Sequence, residues 1–172
     1  MTKPLPMITQ ICIVVHDAEQ ASANWANVLG VQQAPAETIT MEGLLHYTYG
    51  NLAEYNNCKV AKYELEHLIL ELMQPAESPS PWRTFLDHHG QGVFHFCMFV
   101  DDRKSMYSKL GAIGVELPYH VGYAANGSYS YVNSKAQLGL ELSVNNVADN
   151  SHLMELLAQG TAKPLDEVKL LR

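Results

Sequence analysis

At 172 residues, 47% hydrophobic and 17% charged, the sequence suits one globular domain or two small similar halves sharing a core. A formal net charge of −7 argues against nucleic acid or an anionic membrane as partner, and no apolar run reaches the roughly 20 residues a membrane helix needs. Three cysteines without C-x-x-C spacing support neither a disulfide framework nor a zinc ribbon. The opening MTKPLPMITQ has no secretory pattern, so the expected location is the cytoplasm.

The first clear element lies within TQICIVVHDAEQASANWANVLGV (Thr9–Val31). Its β-branched start reads as a strand on which Gln10, Cys12 and Val14 share one face. Asp17 with Gln20 makes an approximate capping box, and Ala21, Trp25, Val28 and Leu29 follow at helical spacing. A strand region comes next, with GNLAEYNN (Gly50–Asn57) expected as a polar loop. KVAKYEL (Lys59–Leu65) and LILELMQP (Leu68–Pro75) read as a hairpin turning at Glu66-His67, and a two-residue turn places Lys62 opposite Glu71. Residues 77–91 form a linker in which Ser80-Pro81 opens a short helix, with Arg83 and His88-His89 as exposed polar positions.

The pattern then repeats. FHFCMFVDDRKSMYSKLGAIGV (Phe94–Val115) places His95 on Gln10, Cys97 on Cys12, Val100 on Val15 and Asp102 on Asp17, all at an offset of 85. Asp102 is expected to cap a helix that turns Met106, Leu110 and Ile113 inward, with Gly111 and Gly114 near its end. SYSYVN (Ser128–Asn133), a turn at SKAQ, and LGLELSVN (Leu138–Asn145) repeat the hairpin, with Glu141 on Glu71 at an offset of 70. SHLMELLAQG is an appended helix ended by Gly160. The expected organisation is a first module over 1–76, the linker over 77–91, a second module over 92–146 and a C-terminal helical extension over 147–172.

The repeat changes how four polar residues are read. His95 alone on an apolar strand is more often a hydrogen-bonded structural histidine, and Gln10, Glu71 or Glu141 alone would be ordinary half-exposed strand positions. All four, however, fall at paired places of an internal repeat. If the halves pack about a pseudo-twofold axis, these residues converge. Two carboxylates meeting in an apolar cleft repel one another and are driven to protonate. A divalent cation removes that conflict, and one imidazole and one amide oxygen complete a mixed N/O ligand set.

The segments QICIVVHDAEQASANWANVLG, ILELMQP, GQGVFHFCMFVDD and LGLELSV, taken in this order over about Ile8 to Val144, resemble the vicinal oxygen chelate superfamily. This is the glyoxalase, bleomycin resistance protein and dioxygenase fold that includes methylmalonyl-CoA epimerase. The resemblance implies an α+β fold in which two βαβββ modules form a U-shaped mixed sheet around a divalent ion (Zn, Co, Ni, Mn or Fe). Its ligand positions fall on Gln10, Glu71, His95 and Glu141. It further implies a homodimeric isomerase or lyase acting on a small carbonyl or acyl-CoA substrate. Such an enzyme moves a proton α to a chelated carbonyl, with Glu141 the first candidate base and Glu71 the second. In epimerase-like members a non-ligand glutamate is implicated, for which Glu54 and Glu64 are the candidates.

Glutathione-using members carry two arginines and an asparagine where this chain has Val14, Gln91 and Pro75. The resemblance therefore favours an epimerase-like activity over a lactoylglutathione lyase. A non-enzymatic small-molecule binding or resistance protein on the same fold is the remaining expectation.

Overall fold

The computed structural model describes residues 7–166. Ten strands and five helices follow in chain order among these residues: β1 (Met7–Val14), α1 (Ala18–Leu29), β2 (Glu37–Ile39), β3 (Leu45–Thr48), β4 (Asn51–Ala53), β5 (Cys58–Glu64), β6 (Ile69–Gln74), α2 (Pro81–His89), β7 (Gly92–Phe99), α3 (Arg103–Ala112), β8 (His120–Ala124), β9 (Gly127–Val132), α4 (Lys135–Leu138), β10 (Glu141–Val147) and α5 (Ser151–Ala158). The fold is α+β with mixed strand pairing, as expected: β1 runs parallel to β6, while the hairpins are antiparallel. No helix among the described residues is long and apolar enough to cross a membrane. The repeat is visible in the elements. Gln10 and His95 are each the fourth residue of an eight-residue strand, and each strand leads to a helix capped by aspartate.

The chain divides into two compact units. The N-terminal unit, from Ile8–Glu42 and Tyr55–Phe96, orders its strands β2-β5-β6-β1. Helix α1 covers one face. Asp17 Oδ1 accepts from the Gln20 N–H at 2.9 Å, Gln74 Oε1 accepts from the Ala18 N–H at 3.1 Å, and Gly30 ends the helix in the left-handed region at φ 69°. Ala18, Ala26, Ala61, Leu70 and Leu72 form the core with Ala21, Trp25 and Leu29 packed against it.

Val28 departs from the expectation. It is 78% exposed, because the inward stripe runs through Ala18, Ser22 and Ala26 instead. Ser22 belongs to that stripe because its hydroxyl is satisfied: it lies 2.6 Å from the Ala34 carbonyl oxygen and 2.7 Å from the Tyr63 hydroxyl. Tyr63 thereby ties β5 to α1 and to the chain that leaves it. The β5–β6 hairpin turns at Glu66-His67 in the expected register, pairing Lys62 with Glu71, with the Leu65 N–H donating to the Leu68 carbonyl at 2.9 Å. Helix α2 starts as expected, with the Ser80 hydroxyl accepting from the Arg83 N–H and Pro81 in the first turn.

The C-terminal unit contains Gly43–Glu54 and the described chain from Cys97 onward, with strand order β10-β9-β8-β3-β4. The expected loop at Gly50–Asn57 is thus partly a strand: β3 and β4 form a hairpin that extends this sheet through β8. Its two-residue turn, Tyr49-Gly50, has φ values of 50° and 79°, the double left-handed geometry that matches strand twist. Helix α3 is capped by Asp102, whose side chain accepts from the Ser105 N–H at 3.1 Å. Met106 and Leu110 are buried as expected, whereas Ile113 sits at the helix end and is 49% exposed. Buried polar contacts do the rest of the docking. The Tyr107 and Ser130 hydroxyls lie 2.6 Å apart, and Arg103 donates to the Ser128 hydroxyl while its guanidinium sits 5.6 Å from the Tyr123 ring centroid. The expected turn at SKAQ is the single-turn helix α4.

Candidate functional site

In the N-terminal unit the face opposite α1 is fixed by strand register. Gln10, Cys12 and Val14 of β1 stand beside Ile69, Glu71 and Met73 of β6, and Lys62 of β5 stands beside Glu71. Glu71 is buried and its Oε2 lies 3.3 Å from the Lys62 Nζ, whose side chain is half exposed. Cys12 is fully buried. Burial first, and the neighbouring Glu71 carboxylate second, push its thiol well above the usual range, so it stays protonated and donates to Glu71. Gln10 is half-buried. His95 is 3% exposed, and burial lowers its pKa to about 3, which leaves a neutral imidazole, the form that ligates metals. Its ring meets Phe94 edge-on, with centroids 5.1 Å apart.

In the C-terminal unit Glu141 opens β10 and is 6% exposed. The Tyr119 hydroxyl donates to its Oε1, and Lys135 Nζ, from α4, lies 3.8 Å from its Oε2. Burial pushes the Glu141 carboxyl above the ordinary value, while the Tyr119 hydrogen bond and the Lys135 charge pull it back. Tyr119 is in turn backed by Tyr49, ring to ring at 5.6 Å and 26°.

On the same sheet face as Glu141, register places Tyr129 and Tyr131 of β9, His120 and Gly122 of β8, and His46 and Thr48 of β3. His120 stacks on Tyr131 at 4.9 Å and on His46 at 5.7 Å, and its Nδ1 lies 2.9 Å from the Thr48 hydroxyl. Burial lowers His46 to about 4 and His120 to about 3, so both rings are neutral. Gly122 leaves room for the Tyr129 ring, since a Cβ there would fall 2.3 Å from Tyr129 Cε1.

The four residues singled out in the sequence therefore lie three in one unit and one in the other: Gln10, Glu71 and His95 in the N-terminal unit, and Glu141 in the C-terminal unit. Among the described residues no group of three or more His, Cys, Asp or Glu side chains is close enough to hold a metal ion. By type the donors suit one: a neutral imidazole, two buried carboxylates and an amide. Glu54 and Glu64 are both exposed. Arg83 is committed to Glu77 and Asp87, at 2.8 and 2.9 Å. Gln91 accepts from the His16 N–H at 2.9 Å. Sequence reasoning misses Tyr119, Lys135, Tyr49, His46 and His120. Tyr119 and Lys135 lie in short connections without periodicity, and the two histidines meet across 74 residues of chain.

A family model described as the Glyoxalase/Bleomycin resistance protein/Dioxygenase superfamily matches residues 9–132. No curated protein matches the sequence. Among solved structures, methylmalonyl-CoA epimerase from Mycobacterium tuberculosis is similar at 19% identity and a TM-score of 0.55, covering 84% of this chain and 90% of its own. A Streptomyces coelicolor methylmalonyl-CoA epimerase variant in complex with 2-nitronate-propionyl-CoA matches at 18% identity and a TM-score of 0.56, over 84% and 96%. A hypothetical protein from Bacillus halodurans matches at 15% identity and a TM-score of 0.55, over 82% and 94%. At these identities the likeness is one of fold.

Proposed function

Because the chain belongs to the Glyoxalase/Bleomycin resistance protein/Dioxygenase superfamily, we propose that it is a divalent-metal-dependent isomerase or epimerase that moves a proton α to a chelated carbonyl or thioester. The observation that carries this reading is Glu141. It is a buried carboxyl whose pKa burial raises, yet two donors hold it in a defined place, the combination a general base needs. Gln10, Glu71, His95 and Glu141 are the residues that would hold the ion. When bound, it would polarise the substrate carbonyl and stabilise the developing enolate.

The chain's own part is the proton. The α C–H bond breaks, its proton goes to a Glu141 carboxylate oxygen, and its electron pair moves onto the carbonyl oxygen. Inversion needs a proton delivered to the opposite face by a second acid, for which Glu71 is the candidate, while the proton on Glu141 passes to solvent. The product is then the epimer. We propose that the enzyme acts as a cytoplasmic homodimer on a small acyl-CoA or related carbonyl compound. The similar epimerase structures, one of them in complex with 2-nitronate-propionyl-CoA, make a 2-substituted acyl-CoA the first substrate to try. A glutathione adduct is disfavoured, since Val14 and Pro75 are buried apolar groups and Gln91 is engaged by the His16 N–H.

A second reading, a non-enzymatic binding protein on the same fold, is favoured by one observation: the Lys62 ammonium lies 3.3 Å from Glu71 Oε2 and supplies a counter-charge of the chain's own. The deciding experiment follows deuterium incorporation at the α-carbon of methylmalonyl-CoA by NMR in D₂O. Metal-dependent exchange that chelator abolishes and Glu141→Gln cuts by at least about 10²-fold supports the enzyme. Metal-loaded protein that exchanges nothing across a panel of acyl-CoA and 2-oxoaldehyde compounds moves it to the binding class.

A further inference from the structure

Among the described residues two that are not glycine hold a positive φ, Tyr49 at 50° and Leu165 at 63°. Such a backbone is strained for a bulky side chain. At Leu165 the surroundings offset the strain: the residue is 7% exposed and its N–H donates to the Tyr123 hydroxyl at 3.0 Å. Tyr49 gains no such burial. It is 77% exposed in the β3–β4 turn, where glycine, asparagine or aspartate would close the hairpin at less cost. Strain of this kind gathers where a ligand is held. The ring also has a defined setting. The Tyr49 N–H donates to the Tyr119 carbonyl at 2.6 Å, and the two rings stack at 5.6 Å and 26°. One face of the Tyr49 ring is therefore covered and the other meets solvent. The Tyr119 hydroxyl in turn donates to Glu141. One stacking distance, one ring radius and one hydrogen bond put the Tyr49 ring within about 11 Å of the Glu141 carboxylate. All three residues belong to the C-terminal unit, at the end of its sheet where β3 stops and β8 and β10 start.

Resting on the reading of Glu141 as part of the substrate site, we propose that the open face of Tyr49 binds a flat aromatic ring of the substrate's acyl group, carried a few bonds from the reacting carbon. Tyr49 is then a specificity-determining residue, which selects aryl-bearing acyl compounds over aliphatic ones of the same size. A single open ring face suits a second ring, which stacks on it in an offset arrangement. It does not make the several-sided aromatic cage that recognises an ammonium ligand. The stack on Tyr119 and the backbone hydrogen bond fix the ring before a ligand arrives, which lowers the ordering cost of binding. Distance chooses the source of the ligand's ring. An extended pantetheine arm carries the adenine of a CoA ester well beyond this reach, so the ring belongs to the acyl side.

The test uses the N-acetylcysteamine thioesters of 2-methyl-5-phenylpentanoic acid and of its 5-cyclohexyl counterpart, ligands that lack adenine and differ in their ring alone. Affinities are measured by calorimetry on the protein as purified, and ring-proton shifts by NMR. The phenyl thioester should bind about threefold more tightly or better, the size an aromatic pair contributes beyond its buried area. Its ring protons should shift upfield on binding. Tyr49→Phe should keep both effects, whereas Tyr49→Gly and Tyr49→Asn, both suited to the turn, should erase them. A ring with a merely structural role would leave the ratio of the two affinities near one in every variant. Equal affinity for the two thioesters, no binding of either, or a preference that survives in folded Tyr49→Gly protein overturns the proposal. So does 3′,5′-ADP whose adenine protons shift upfield only when Tyr49 is present, because the ring then belongs to the carrier. These outcomes leave the proposed function standing, since metal-dependent α-exchange of methylmalonyl-CoA decides it. Protein that shows the preference and exchanges nothing keeps the aryl site and loses the enzyme reading.

Discussion

The two buried histidines of the C-terminal unit make its stability depend on pH in a way that can be worked out in advance. Burial lowers His46 from 6.5 to about 4 and His120 from 6.5 to about 3, with His46 adding to the shift at His120. In the unfolded chain both return to ordinary values. Above pH 6.5 both states are neutral and the full stability is present. As pH falls below 6.5 the unfolded chain takes up protons that the folded chain refuses. Stability then drops by about 1.4 kcal/mol per pH unit per histidine, levelling off near the folded values of about 4 and about 3. Between about pH 7 and about pH 5 each ring should remove about 2 kcal/mol, or about 4 kcal/mol together.

The assay is urea unfolding at a series of pH values for wild type, His46→Gln, His120→Gln and the double variant. The comparison is each protein's own loss across the interval, because the substitutions also alter stability at neutral pH. The double variant should lose about 4 kcal/mol less than wild type over that interval. Equal losses in the two proteins would refute the reasoning, since they would mean that these rings take up protons in the fold as readily as in the unfolded chain.

Purified protein should carry about one divalent ion per chain by elemental analysis, lost in His95→Ala and Glu141→Ala and kept in Gln10→His, since an imidazole donates to the same ions. Stoichiometric metal in both alanine variants would contradict the ligand assignment. The hemithioacetal of methylglyoxal and glutathione should be a poor substrate, and a kcat/KM for D-lactoylglutathione formation above about 10⁴ M⁻¹s⁻¹ would count against the epimerase-like reading. Tyr63→Phe deletes the hydroxyl that joins Ser22 and the Ala34 N–H, and should cost about 1–3 kcal/mol in chemical denaturation. Gly122→Ala places a methyl against the Tyr129 ring and should cost a comparable amount, about 1–3 kcal/mol, with a loss of near-ultraviolet circular dichroism from the displaced tyrosine.

The elements that can be read from the sequence are those whose signals are local. Asp17, Asp102 and Ser80 announce helix starts because a side-chain oxygen two or three residues ahead of an orphan N–H is a short-range arrangement, and all three accept the expected bond. The Lys62–Glu71 pairing follows from the length of one turn. Elements that depend on distant partners are hidden. The β3–β4 hairpin exists because β3 finds β8, with Thr48 meeting His120 across 72 residues, and its turn carries tyrosine where a hairpin signal would be asparagine or aspartate.

Helical periodicity misleads at Val28 and Ile113 for a related reason. Ser22, Arg103 and Tyr107 occupy inward positions because Tyr63, Ser128 and Ser130 satisfy their polar atoms, and no window along the helix shows those partners. Of the candidate site, the sequence marks the carboxylates and the imidazole as polar residues on apolar strands. The groups that govern Glu141, namely Tyr119 and Lys135, sit in a bend and a single turn of helix where no pattern distinguishes them.

The lysines bear on how a metal could enter such a fold. A buried carboxylate left without a counter-charge costs several kcal/mol, on the order of the stability of a small unit. Here each buried glutamate has a lysine from its own unit, Lys62 from the neighbouring strand and Lys135 six residues earlier in the chain. Each unit can therefore fold with its carboxylate paired before any ion is present. The same lysines are 49% and 45% exposed, and an ion pair with one solvated partner is worth only about 0–1 kcal/mol. Swinging an ammonium into water thus costs little, whereas a divalent ion brings twice the charge and directional coordination. Among the described residues Glu71 has only Lys62 and its thiol neighbour Cys12 to give up. Glu141 must also leave the Tyr119 hydroxyl, an asymmetry between two otherwise equivalent positions that supports the proposal of Glu141 as the base.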